Sequence, residues 1–140
     1  MARTEGKLAA QVGEEESPTI PATAEIISVQ GSDASTILTW QLSSATDIRV
    51  QGLTLTTTAP AARFWPDAVR LIDPVGKKSY AVNTMIADNT TFCVCSLYPL
   101  HVGPVPVRMT SQYPPLPASA TSVSVRIPHF APVSVPVTRS

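Results

Sequence analysis

The sequence predicts an all-β chain folded as a two-sheet antiparallel β-sandwich, and three observations carry that prediction. From Thr23 onward Val, Ile, Leu and Thr recur at every second position, the pattern of strands that bury one face. Gly, Pro, Asp or Asn interrupts this pattern about every 8 to 14 residues, which is the turn spacing of a sandwich. No segment after residue 22 carries a helical period over a useful length. Together they give about 7–9 short strands, whose apolar faces are buried when one sheet packs on another.

Residues 1–22 read as a flexible tail ahead of a sandwich domain spanning 23–140. Glu14, Glu15 and Glu16 stand in a row, and Ser17, Pro18 and Pro21 interrupt the segment. Its few apolar side chains bury too little surface to offset the entropy of ordering it. "GKLAAQVGEEE" has some helical character, but an isolated helix this short is marginal. Such a tail is expected to be lost to mild proteolysis while the β core survives.

"AEIISVQG" is the first strand, ending at Gly31. "STILTWQLSS" follows, with Leu38, Trp40 and Leu42 on one face and Thr39 and Gln41 on the other, which makes Trp40 a core anchor. "VQGLTLTTTAP" is a third strand with Leu53 and Leu55 inward; Gly52 marks a bulge and Pro60 ends it. "VRLIDPVGKKSYAV" is a hairpin. Pro74 suits the second position of a type I turn, and Gly76 is expected where a positive φ is required. "TFCVCSL" is the next strand. The last three, "PVPVRMTS", "TSVSVRIP" and "PVSVPVT", repeat apolar residues with period two at Val105/Val107/Met109, Val123/Val125/Ile127 and Val133/Val135/Val137. Nine of the 14 prolines follow Tyr98, and Pro104, Pro106 and Pro136 fall inside strand patterns. Proline cannot donate to a ladder, so these strands belong at sheet edges.

Composition narrows the function. A chain of 140 residues is about one domain and can bury a core without crosslinks. Ten acidic and ten basic side chains cancel, and charged residues make up 14% of the chain. The basic residues are scattered rather than gathered into a phosphate-neutralising stripe, which argues against nucleic-acid binding. No run of 18 apolar residues is present, so no transmembrane helix is expected. The opening segment lacks the apolar core of a signal peptide. The chain as written therefore reads either as cytoplasmic or as a piece of a longer exported precursor.

Cys93 and Cys95 are the two cysteines, and in a regular strand both point to one face with Leu97, opposite Phe92 and Val94. A disulfide, two free thiols and a metal site all remain open. A bridge across one residue closes a tiny loop, so its entropic contribution falls far below the roughly 3 kcal/mol of a 15-residue loop. A zinc site needs His101, His129 or an acid to converge on both sulfurs. A redox role lacks a Cys-x-x-Cys at a helix start to depress a thiol pKa. Each histidine serves as a general base only beside a nucleophile and an orienting acid, and no Gly-x-Ser-x-Gly, phosphate loop or His-Glu-x-x-His occurs. The reading is a non-enzyme without a cofactor. Asp67, Asp73 and Asp88 are turn residues, and the sequon Asn89-Thr90-Thr91 has meaning only in a eukaryotic secretory pathway. Arg63, Phe64 and Trp65 form an aromatic cluster in a Pro-flanked connection. They either plug one end of the sandwich or form a partner-binding loop.

Several stretches taken together resemble one family. Leu71, Asp73, Gly76, Lys77, Lys78 and Tyr80 form a hairpin signature ahead of Cys93, Cys95 and Ser96. Tyr113, Pro114, Pro115 and Pro117 then lead into Thr121 through Val125, with Pro128 and Phe130 beyond. Over about residues 23 to 138 this resembles the Ig-like β-sandwich domain of bacterial secreted and lipid-anchored cell-envelope proteins. The resemblance implies an Ig-like sandwich, an exported setting and a Cys93–Cys95 disulfide, and it transfers no reaction. The expected function is a non-catalytic module that binds a protein or cell-wall component. The alternatives are a structural subunit that self-associates into a homo-oligomer through strand edges or the N-terminal tail, and a small thiol or metal-binding protein.

Two substitutions separate core from loop. Trp40→Ala is expected to cost roughly 3 to 5 kcal/mol in urea unfolding, as other buried Trp truncations do. Trp65→Ala is expected to leave thermal unfolding nearly unchanged while weakening capture of envelope partners; equal destabilisation by both makes the aromatic cluster a core plug.

Overall fold

The computed structural model describes residues 2–9, 19–49, 69–96 and 101–139, and every regular element among them is a β-strand. In chain order these are β1 (Ala2–Ala9), β2 (Thr19–Gly31), β3 (Thr36–Ser43), β4 (Ile48–Arg49), β5 (Arg70–Asp73), β6 (Lys78–Tyr80) and β7 (Thr84–Ala87). They continue with β8 (Thr90–Cys93), β9 (His101–Val102), β10 (Val107–Tyr113), β11 (Ser122–Arg126), β12 (Val133–Pro136) and β13 (Thr138–Arg139). One sheet runs β1-β2-β3-β10, with β13 also on β2, and the other runs β12-β11-β5-β6. Pairing is antiparallel except where β13 lies parallel to β2. The fold is the expected all-β two-sheet sandwich. The third strand expected at 50–60 lies outside the described residues.

Alternation becomes burial along β3, where Leu38, Trp40 and Leu42 are all at 0% exposure. Trp40 stands opposite Ile26 of β2 and Met109 of β10, so one row crosses the middle of the first sheet. Leu71, Val123, Val125 and Val135 of the second sheet belong to the same core. β2 does not keep one phase. Its register on β3 shifts between Ile26 and Ser28, so Ala22, Ala24 and Ile26 point inward and then Val29 does. A bulge at Ile27 thus resolves the "EIISV" run, which a strict period of two cannot fit.

The N-terminal segment differs from the expected tail. Ala2–Ala9 pairs with β2 in an unbroken register from Ala2↔Ile26 to Ala9↔Thr19, and Leu8 is fully buried. Arg3, Glu5 and Lys7 face outward while Thr4 is buried, so a sparse period of two is enough when a finished sheet supplies the partner. The outer edge of β1 rests on the turn after β11. The Thr4 hydroxyl donates to the Ala131 carbonyl at 2.7 Å, and the Lys7 N–H donates to the His129 carbonyl at 3.3 Å. Gly6 permits the approach, because a Cβ there would collide with the Phe130 ring and the His129 carbonyl.

The hairpin at "LIDPVGKKSY" forms as expected between β5 and β6, but its positive φ falls on Lys77, at 56°. Gly76 serves a steric purpose instead. The Asp73 carboxylate is buried and accepts the Val75 N–H at 3.1 Å, and a Cβ on Gly76 would lie 2.6 Å from that carboxylate. Proline also shapes the later strands. β10 begins only at Val107, past Pro104 and Pro106, leaving Val105 at 80% exposure. β12 ends the second sheet and so tolerates Pro136. The expected strand "PVSVPVT" is split at Val137, whose N–H donates to Thr121, and β13 crosses to the first sheet.

Two outcomes follow. Leu8→Ala is expected to destabilise the protein by roughly 2 to 5 kcal/mol in urea unfolding, as a buried Leu truncation does, whereas in a tail its cost is near zero. The second concerns Tyr113, whose buried hydroxyl donates to the Val69 carbonyl at 2.9 Å and joins β10 to the chain entering β5. Burial pushes its pKa well above the ordinary phenol value, with Ser111 and the Arg70 charge pulling weakly the other way. A raised folded-state pKa gives a contribution that is full below the unfolded value of 10.0 and is lost as pH rises through the folded value. Stability is therefore expected to fall above about pH 10, and Tyr113→Phe to flatten that fall while costing about 1–3 kcal/mol at neutral pH.

Candidate functional site

β7 and β8 pair with each other and belong to neither sheet. Asp88 and Asn89 join them with φ of 51° and 62°, two successive left-handed residues as in a type I′ turn. This matches the twist of a two-residue hairpin, and Asp and Asn tolerate it better than most residues. On β7, Met85 is 55% and Ile86 76% exposed. Neighbouring residues of a strand point to opposite faces, so each face of the arm carries an exposed apolar side chain.

The arm's root is tied to the first sheet by backbone bonds. The Asn83 N–H donates to Gln112 at 2.7 Å, the Val94 N–H to Asn83 at 2.8 Å and the Gln112 N–H to Val94 at 2.9 Å. Beyond the root, the Ser96 N–H donates to Thr110 at 2.8 Å and Cys95 bridges Ser111. Residues 94–96 therefore lie along the edge of β10, with a bend at Val94. Cys93 is the last residue of β8, opposite Thr84, so the two cysteines stand on opposite sides of the joint. Their Cα atoms are 5.4 Å apart, and both side chains are half-buried against the core. The single strand expected at "TFCVCSL" is interrupted at Val94 by that bend. The hydrogen bonds of Val94 face Asn83, just ahead of β7, on one side and Gln112 of β10 on the other.

The histidines are kept apart. His101 is exposed on β9 opposite Arg49, while His129 is exposed in the turn against β1. Among the described residues no three His, Cys, Asp or Glu side chains gather as a metal site, and no helix is long and apolar enough to cross a membrane. Arg63, Phe64 and Trp65, with Asp67, lie outside the described residues. The arm itself escaped the sequence reading, although Asp88-Asn89 between "TMIA" and "TTFC" is a two-residue hairpin signal. No protein-family model, curated protein or solved structure matches the chain.

His129 has a structural explanation. The Phe130 N–H donates to the Ile127 carbonyl at 3.0 Å across Pro128 and His129, and His129 has a φ of 69°. Pro second and a positive φ third describe a type II turn, where glycine is preferred. The turn must present the His129 carbonyl to Lys7 and the Phe130 ring to Gly6, so packing holds the histidine there. His129→Gly is expected to raise stability by up to about 1 kcal/mol in urea unfolding; a loss would mean that the imidazole makes contacts worth more than the relieved backbone.

Proposed function

We propose that the chain is a non-catalytic interaction module that presents the β7–β8 arm to a protein or cell-wall component in a secreted or cell-envelope setting. The observation that carries this is the exposure of Met85 and Ile86 on a hairpin outside both sheets. A two-stranded hairpin is marginal alone in water, and an apolar side chain on each face adds surface that gains by being covered. Methionine adapts its shape to a partner, and among the described residues β7 and β8 pair only with each other, which suits strand addition. The exported setting rests on the family resemblance and on the close cysteine pair, which we take to be a disulfide that persists in an oxidising compartment. The pairing of β1 with its own β2 supports a self-contained module over a subunit that lends its N-terminal strand to a neighbour.

The double substitution Met85→Ser/Ile86→Ser tests the reading. Urea unfolding is expected to move by no more than about 0.5 kcal/mol, as for other surface changes, while retention on a purified envelope fraction falls at least tenfold. Val75→Ser, at a position 82% exposed on the other hairpin, serves as the control and is expected to change neither. Full retention by the double variant removes the arm as the contact.

A further inference from the structure

The remaining chemistry with no assigned task is the cysteine pair. We propose that Cys93 and Cys95 form a reversible thiol–disulfide hinge that sets the direction of the β7–β8 arm, an inference that rests on the arm being the binding element. The two residues are separated by one residue in sequence but belong to different assemblies. Cys93 is paired within the hairpin, and Cys95 is paired to β10 of the first sheet. A bond between them closes a ring around Val94 alone, so it removes little entropy from the unfolded chain and adds little global stability. What it constrains is the backbone at Val94, where the chain turns from hairpin to sheet.

That backbone carries the root. Val94 donates to Asn83 and accepts from Gln112, so two of the three root bonds run through one residue, and the third, from Asn83 to Gln112, ties its two partners to each other. The site is reachable: both cysteines are half-buried, and Cys95 lines an open groove with Ser96, Thr110 and Gln112. In the dithiol form the segment is free to follow ordinary strand alternation, which carries the arm away from its bonded position.

The exchange balances with a dithiol reductant. One reductant thiolate attacks a cysteine sulfur, the Cys93–Cys95 bond breaks, and a mixed disulfide forms while the other cysteine leaves as thiolate and takes a proton. The reductant's second thiolate then displaces the remaining cysteine, which is also protonated, and the reductant departs as its own disulfide. Two electrons and two protons pass to the protein. Reoxidation is the reverse, with a low-molecular-weight disulfide as acceptor.

The experiment is amide hydrogen exchange on the full chain with and without dithiothreitol, together with a thiol count on denatured, unreduced protein. The expected results are no free thiols before reduction, a Tm shift below about 2 °C on reduction, and exchange at least tenfold faster at Asn83, Val94 and Gln112. Amides of Leu38 through Leu42 keep their rates. Cys95→Ser is expected to reproduce the reduced pattern without reductant. Two free thiols in the unreduced protein, unchanged exchange at the three root amides, or equal acceleration throughout β3 would each overturn the hinge. Because this readout needs no partner, a hinge that responds while Met85→Ser/Ile86→Ser binds normally leaves the hinge standing and removes the arm as the contact.

Discussion

The burial of Trp40 between two sheets is the constraint on which the rest of the structure depends. Its row, with Ile26 on one side and Met109 on the other, makes the inner face of the first sheet continuous and apolar, and such a face requires a second sheet. The indole is placed without a hydrogen bond for its Nε1, and the Ser111 hydroxyl is likewise buried without a partner of good geometry. An unsatisfied buried polar group costs about 1–3 kcal/mol, whereas removing a buried Trp costs roughly 3 to 5 kcal/mol. Packing therefore outweighs polarity at the centre.

Around that centre, polar contacts fix how the sheets join. The Tyr113 hydroxyl reaches from β10 to the Val69 carbonyl, and after β12 the chain leaves the second sheet so that β13 pairs with β2 of the first. Its Arg139 places a guanidinium on the carbonyls of Leu116, Pro117 and Ala120 at 3.5, 2.6 and 2.8 Å. The loop there carries Pro114, Pro115 and Pro117, which supply carbonyls but no N–H, so an arginine is the donor that balances it. Such charges as Arg139 and Asp73 serve loops and turns of the fold. This accords with a chain poor in charged residues.

The arm stands outside this economy of burial. β1, β2, β3 and β10 share inner-face side chains, but β7 exposes Met85 and Ile86 and is joined to the sandwich through a short run of backbone bonds. Elements with few buried contacts open at low free energy, and binding or switching elements are drawn from them. A crosslink at the root of such an element acts on orientation more than on stability, because the ring it closes contains no other part of the fold.

By itself the sequence determined what depends on neighbours along the chain. The two-residue period placed Leu38, Trp40 and Leu42, and later Val123, Val125 and Ile127, on buried faces, and Asp73 through Gly76 marked a hairpin. Pro136 indicated an edge, because a missing donor is a property of the residue itself. Tertiary structure alone decided what depends on distant partners. Leu8 is buried because pairing with β2 turns it into the shared core, and its own segment gives almost no sign of this. The bulge at Ile27 and the passage of the chain from β12 in one sheet to β13 in the other each settle a conflict between local pattern and a partner strand. The same holds for Cys93 and Cys95: spacing put them side by side, but only the pairing of one with the hairpin and the other with β10 made the residue between them a joint.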